Sequence, residues 1–455
     1  MAVHLGRRHL AAGLTAVIAV SALAACSPSG SAPAAGSTST KAVSIDVAHQ
    51  GSVTLNMLDF WPSGAENDWM NAAVGAFEKK YPNVTIKRTS QNWGDLNGTL
   101  NLRLADAGGP DIATANQGWQ ALGTFAKGKL VLNLDPYVQA YGWKAKVPES
   151  ILRQQEFSDD GTQMGTGSLY ATPVASSSIV GVNYDRKVLD AAGVAVPTTL
   201  AQFEAACAKL KAAGKVPISF ASLEPGPATA LLLDVQAMSG PKNDISGFVY
   251  GNAKIKASDT GLLKAAQTVK EWAAKGWFTP NYQGIAYADS VDSFKNGQGG
   301  FQFNYSGTLS PTGTQQQDFG FFVLPQVTGG QTVGVGASRA ALVISSRSAH
   351  PDAAAAFLDF LMGTKTAQLA VDNNLTPALH TGLAMPADRP EFTQEVKTVA
   401  ALDKSDGYVP YFDWATSSLG DTLSSQLQTL LAGKTTPQDL VAAAQADRDK
   451  FAASK

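Results

Sequence analysis

Val53-Thr-Leu-Asn-Met-Leu-Asp-Phe60, the amphipathic stretch Trp69 to Tyr81, and Val84-Thr-Ile-Lys-Arg-Thr89 together decide the fold of this chain. The first segment alternates apolar and polar residues as a half-buried strand does. In the second, Trp69, Ala73, Ala76, Phe77 and Tyr81 fall on one helical face, with Glu78, Lys79 and Lys80 near its end. Pro82-Asn83 stops it before the next strand. Leu96 to Ala107 reads as a second helix, closed by Gly108-Gly109-Pro110, and Asp111 to Ala115 as a short strand. Leu122 to Lys127 is helical. The order β-α-β-α-β-α predicts a mainly parallel, doubly wound sheet.

The alternation resumes downstream. Leu169 to Val174 is extended, because Pro173 disfavours helix before it. Strands are expected at Ser178–Asn183, Pro217–Ala221, Gly300–Asn304, Phe319–Leu324 and Ala341–Ser345. Helices are expected at Arg186–Gly193, Leu200–Gly214, Leu262–Gly276, Ala353–Met362, Leu419–Leu431 and Pro437–Ala446. No repeat of fixed period occurs.

The N-terminus is of a different kind. Arg7 and Arg8 precede a run from Leu10 to Ala25 without a charge, and Leu23-Ala24-Ala25 leads into Cys26. That is an export signal: basic start, apolar middle, small residues at a cleavage site. The run is shorter than the ~20 residues a membrane span needs. A Cys directly after the small residues resembles the lipobox of bacterial lipoproteins, which implies that Cys26 is lipidated and becomes the first residue. An ordinary signal with a coincidental Cys is the other reading, and Arg7-Arg8 leaves the choice between general and twin-arginine export open. Residues 27–50 are dominated by Ser, Ala, Gly, Thr and Pro and lack large apolar side chains to offset ordering entropy. They read as a flexible tether, so folding is expected to start near Ser52.

Beyond Ala25 the chain is about 430 residues, too long for one ordinary core, so two lobes are expected. Charged residues make up 16% and hydrophobic ones 44%, which suits a globular protein. The formal net charge is −2, and removing the two cations Arg7 and Arg8 takes it to −4. Nothing in that balance favours nucleic acid. With Cys26 lipidated, Cys207 has no disulfide partner. Phe203, Cys207 and Leu210 share a helical face, so Cys207 reads as a small buried apolar residue.

Catalytic signatures are missing. The sequence contains no G-x-S-x-G, H-E-x-x-H, strand-following G-x-G-x-x-G or G-x-x-x-x-G-K-[ST]. His350 and His380 each stand alone, which gives a metal cluster little support, and no cofactor is expected. A pair of glycosidase carboxylates meets only in the fold and stays open as the enzyme alternative. The segments after strands, by contrast, carry aromatics, amides and hydroxyls: Trp61; Gln91, Asn92 and Trp93; Asn116, Gln117 and Trp119; Tyr305 and Ser306; Tyr411, Phe412 and Trp414. Ligands of open α/β sheets sit beyond the carboxyl ends of strands. Aromatic faces with amides and acids are what a neutral polyol requires, although any single Trp is as readily core.

From about Ser52 to Phe451 the chain resembles the family 1 extracellular solute-binding proteins of bacterial ABC importers, the group that includes maltodextrin-binding proteins. The resemblance rests on segments in order: Ala76-Phe-Glu-Lys-Lys-Tyr-Pro-Asn-Val-Thr-Ile86, Gly109-Pro-Asp-Ile112, Tyr170-Ala-Thr-Pro-Val174, Val182-Asn-Tyr-Asp185, Ala192-Gly-Val194, Pro197-Thr-Thr199, Asp292-Ser-Phe-Lys-Asn-Gly297, Leu324-Pro325, Gly334-Val-Gly-Ala-Ser338, Ala356-Phe-Leu-Asp-Phe-Leu361 and Leu430 to Leu440.

The resemblance implies two α/β lobes, each a mainly parallel sheet wrapped by helices, with ligand clamped between them by hinge closure. The expected division is 1–25 signal, 26–51 lipidated Cys and tether, 52–173 and 325–377 the N-terminal lobe, and 174–324 and 378–455 the C-terminal lobe. Matching segments imply ligand contacts at Trp61, Glu66, Gln91, Trp93, Asn116, Gln117, Trp119, Glu224, Tyr305, Ser306, Ser338, Arg339, Tyr411 and Trp414. Two departures count against a long maltodextrin. Gly226 replaces an aromatic after Glu224-Pro225, and Gly307-Thr308 stand where relatives have a Trp; either Tyr305 supplies that face or it is lost. Arg339 is either a surface cation or a sign of an anionic ligand. The expected function is a monomeric, lipid-anchored sugar receptor on the outer face of the membrane, working with ABC permease subunits. A receptor for a phosphorylated or amino sugar and a secreted glycoside hydrolase are the alternatives.

Overall fold

The computed structural model describes residues 43–173, 177–223, 225–309, 318–327, 332–380 and 382–455. The expected export signal, Cys26, most of the expected tether and Glu224 lie outside these residues. The described body is mixed α/β with two five-stranded sheets.

The first sheet runs in the order Val84–Ser90, Val53–Asp59, Ile112–Ala115, Ala341–Ile344, Thr172–Pro173. Its first three strands are parallel, as the β-α-β-α-β pattern requires, and pair from Val53↔Val84 to Asp59↔Ser90. Ala341–Ile344 arrives later in the chain and pairs antiparallel on both sides. Helices Gly64–Lys80 and Pro351–Leu361 pack together and cover this sheet, burying Trp69, Phe77 and Phe357.

The second sheet is built around Ser177–Asp185, a strand buried at every position. Gly334–Ser338, Phe301–Tyr305 and Phe319–Phe322 all pair with it antiparallel; Tyr408–Val409 lies parallel to Gly334–Ser338. This departs from the mainly parallel sheet expected of the second lobe. The chain belongs to the first sheet at Thr172–Pro173 and to the second from Ser177, and the neighbours of Ser177–Asp185 run the opposite way. Gly334–Ser338, expected within the first lobe, is hydrogen-bonded in the second sheet, so the chain passes between sheets at Arg339-Ala340. Pro217–Ala221, expected as a strand, makes only single bridges from Ile218 to Phe278 and Phe301. Helix Pro225–Ser239 lies against this sheet, with helices Leu262–Ala274 and Leu419–Leu431 packed on it.

The fold also starts before Ser52. Val47 is buried, and the Asn83 side chain donates to the carbonyls of Val47 and Gln50 at 2.9 Å each, fastening residues 43–51 to the first lobe. Cys207 is buried in helix Leu200–Ala212, and burial pushes its thiol well up, as a structural cysteine requires. Among the described residues no helix is long and apolar enough to cross a membrane.

Candidate functional site

A cleft of about 690 Å³ is lined by residues that follow strands of both sheets. Asp59, at the end of Val53–Asp59, organises its first wall. Asp59 is fully buried and ion-paired with Arg88, and it accepts from Ser90 Oγ at 2.7 Å and from the Trp61 amide at 3.0 Å. Arg88 also donates to the Trp61 carbonyl at 2.8 Å. The backbone after the strand is therefore fixed, and its two successive aromatics separate. Phe60 lines the cleft; Trp61, 1% exposed, packs edge-on against Trp69 in the core. Trp93 begins helix Trp93–Ala105, capped by Asn92 accepting from the Asp95 amide. It stands edge-on to Phe60 at 4.6 Å and is 42% exposed, unusual for so large an apolar ring.

The amides come from the turn after Ile112–Ala115. Asn116 Nδ2 donates to Gln120 Oε1 at 2.7 Å, and Gln120 Nε2 donates to Asp413 Oδ2 at 3.0 Å. Gln117 is buried, donating to the Ser338 carbonyl and accepting from Gln155. Gly118 has φ +63°, and a Cβ there would sit 2.3 Å from Trp414 Cβ. Only glycine allows Trp414 to approach this turn so closely.

The second wall is a run of rings. Tyr305 and Tyr411 are 6.2 Å apart, and Tyr411 and Trp414 4.8 Å. Tyr411 donates its hydroxyl to the Ser178 carbonyl at 3.0 Å. Asp413 lies among them. Burial pushes its carboxyl up to about 6, against the hydrogen bond from Gln120, and its Oδ1 is buried with no partner. Arg339 Nε approaches Glu66 Oε1 to 2.6 Å without an aligned N–H, a charge contact rather than a hydrogen bond.

Of the residues singled out from the sequence, Glu66, Trp93, Asn116, Gln117, Tyr305, Ser306, Ser338, Arg339, Tyr411 and Trp414 line this one cleft. Trp61, Gln91 and Trp119 do not. Trp61 is core. Gln91 is half-buried. Trp119 is 5% exposed, edge-on to Phe157 and Phe451, with Lys455 Nζ 3.6 Å from its ring centre. Glu224 lies outside the described residues. The sequence reading missed Phe60, Gln120 and Asp413. Phe60 directly follows the first strand, and its neighbour Trp61 has the same aromatic signal. Asp413 sits inside the aromatic cluster already noted, and only its contact with Gln120 in the fold marks it out. Among the described residues no three His, Cys, Asp or Glu side chains converge as a metal site requires.

Relatives share both sequence and shape. The chain is 24% identical over 344 residues to the "Multiple sugar-binding protein" of Streptococcus mutans serotype c, covering 72% of this chain and 75% of that one. It superposes on a chitin oligosaccharide binding protein with a TM-score of 0.72 at 23% identity, covering 88% of this chain and 99% of the other. It superposes on the bacterial solute receptor AcbH, described as having an exclusive preference for b-D-galactopyranose, with a TM-score of 0.69 at 17% identity, covering 88% and 100%. Residues 61–368 match the family model of the bacterial extracellular solute-binding proteins, and the chain belongs to that family.

Proposed function

We propose that this chain is the carbohydrate receptor of an ABC importer, binding a neutral mono- or short oligosaccharide in the cleft between its lobes. One observation carries the reading: rings from both lobes, Phe60 and Trp93 on one side and Tyr305, Tyr411 and Trp414 on the other, line a cleft that also holds Asn116, Gln120 and Asp413. The C–H faces of a pyranose stack on such rings, and its hydroxyls pair with amide and carboxylate groups. The volume falls within the ~300–1,000 Å³ of small-molecule sites. The ligand contacts of this reading are the ten cleft residues singled out from the sequence, with Phe60, Gln120 and Asp413 added. The names of the relatives point the same way. Glu66 neutralises Arg339, which supports a neutral sugar over a phosphorylated one.

In this reading the ligand bridges the lobes, stabilises the closed arrangement, and is handed to a permease. The receptor is monomeric, performs no catalysis, and is anchored through lipid on Cys26. A thermal-shift panel of galactose, maltose, xylobiose and N,N′-diacetylchitobiose tests the binding. A rise in melting temperature with one or a few of them, without reducing-end release, is the expected result. Catalytic hydrolysis of any of them overturns it. Mass spectrometry of the membrane-extracted protein tests the anchor: a diacylated N-terminal Cys26 is expected, and a free thiol at Cys26 refutes it.

A further inference from the structure

Behind the cleft floor, hydrogen bonds close a ring through four parts of the chain. The Ser177 amide donates to the Thr376 carbonyl at 2.8 Å. Ser306 Oγ donates to Ser177 Oγ at 3.3 Å. The next amide, that of Gly307, donates to Glu395 Oε1 at 3.2 Å. Thr376 Oγ1 donates to the same oxygen and closes the ring. Ser177, Ser306, Gly307 and Thr376 all line the ligand cleft, whereas Glu395 is not among its lining residues. Glu395 projects from helix Pro390–Ser405 into a separate small cavity of about 40 Å³ that it shares with Gly307, Thr376, Asn183 and Arg389.

We propose that Glu395 is a positioning residue for ligand binding: through Oε1 it fastens the Tyr305–Thr308 turn to Thr376 and so sets the shape of the cleft floor without touching the ligand. The proposal rests on the cleft being the ligand site. Tyr305 supplies one ring of the second wall; the turn after it is pinned to the central strand through Ser306, which bonds Ile179 and Ser177, and at Gly307 to this carboxylate oxygen. Gly307 has φ +73°, so the turn adopts a conformation that only glycine enters freely. A carboxylate accepting from a backbone amide and a hydroxyl is a charge-assisted clasp, stronger than a neutral one. Removing the acceptor takes this charged partner away from both donors.

The proton on Glu395 is part of the device. Burial pushes its carboxyl up to about 7, with the bonds from Thr376 and Gly307 pulling the other way. Arg389, at the start of the same helix, is the one other ionisable side chain lining the cavity among the described residues; Asn183 from the central strand, Asn374, Thr376, Phe319 and Phe392 are neutral. The ionised carboxylate holds both donors best, so the clasp tightens as pH rises through 7.

The amide resonance of Gly307 in the full chain reads the clasp without any ligand. It is expected to titrate with a midpoint near pH 7 in the wild type and to stay flat in Glu395→Gln, which keeps the acceptor oxygen and loses the proton. A Gly307 resonance that moves identically in both, or in neither, overturns the proposal. The saccharide that binds best in the panel of galactose, maltose, xylobiose and N,N′-diacetylchitobiose supplies the second arm. Glu395→Ala is expected to weaken its binding about tenfold, the scale of a hydrogen bond lost to a charged group, and Glu395→Gln to restore most of it at pH 8. Unchanged affinity in Glu395→Ala overturns the proposal. Absence of binding by every saccharide in the wild type refutes the receptor reading instead, and the Gly307 arm still decides the role of Glu395.

Discussion

Arg339 Nε lies 2.6 Å from Glu66 Oε1 in the wall of the cleft, joining the turn between the two sheets to the first helix of the first lobe. The pair is partly buried and presents no net charge to the ligand. It also holds Arg339 near the Phe60 ring, with Cζ 6.0 Å from its centre. Glu66→Gln frees the guanidinium. The wild type is expected to prefer galactose over galacturonate, and Glu66→Gln to gain affinity for galacturonate. Calorimetric titration of both sugars checks this; equal binding of the acid by the wild type refutes neutralisation as the basis of selectivity.

Asp413 gives the affinity a pH dependence. Burial raises its carboxyl from 3.8 to about 6, so it is largely ionised at pH 7 and largely protonated at pH 5. The free Oδ1 is an acceptor for a ligand hydroxyl, and accepting favours the ionised form. Affinity is therefore expected to fall as pH drops from 7 to 5, and Asp413→Asn to flatten that fall. The stability sign is opposite. A carboxyl whose folded value is raised contributes stability below about pH 4 that is lost as pH climbs through 6. Titration calorimetry at three pH values separates this step from the one near pH 7 assigned to Glu395.

Two tryptophans separate binding from folding. Trp93 is 42% exposed in the cleft, so Trp93→Ala is expected to weaken saccharide binding by ~1–3 kcal/mol, the scale of an interface aromatic, with little change in melting temperature. Trp119 packs against Phe157 and Phe451 away from the cleft, so Trp119→Ala is expected to cost ~3–5 kcal/mol of stability and leave affinity nearly unchanged. Calorimetry and urea unfolding of the two variants check the pair. Reversed outcomes would return Trp119 to the ligand site.

The same contrast shows what the sequence could and could not reveal. Leu122–Lys127 and Leu419–Leu431 have the bounds their periodicity predicts, because one apolar face is enough to define a surface helix. Helix Pro225–Ser239 is buried from Ala228 to Met238, so its apolar residues surround the axis and leave no period to read. The two glycines of Gly334–Ser338 leave it little strand signal. Its pairing with Ser177–Asp185 allows no side chain at Gly336, where a Cβ would meet the Ser178 carbonyl and the Tyr411 ring at 2.6–2.7 Å. In the cleft, residue type was legible and direction was not. Phe60 and Trp61 are adjacent, and only the hydrogen bonds of Asp59 and Arg88 decide which of them faces the cleft. The contact of Gln120 with Asp413 joins positions 293 residues apart, beyond the reach of any local pattern.

Asp234 is a group that the proposed binding does not use. It sits in the apolar helix Pro225–Ser239 with no exposed surface, neither oxygen has a hydrogen-bond partner, and burial pushes its carboxyl up to about 8. The folded chain therefore keeps it protonated in the neutral range, while the unfolded chain ionises it above about pH 4. Folding binds the extra proton, so stability falls as pH rises from about 4 to 8. Asp234→Asn removes the ionisation and keeps the shape. It is expected to raise the melting temperature at pH 7–8, corresponding to a few kcal/mol on the scale of ~1.4 kcal/mol per pH unit, and to match the wild type near pH 4. Thermal unfolding across pH 4–8 reads the difference. A constant offset between the two proteins at every pH would show that Asp234 acts through packing and not through its proton.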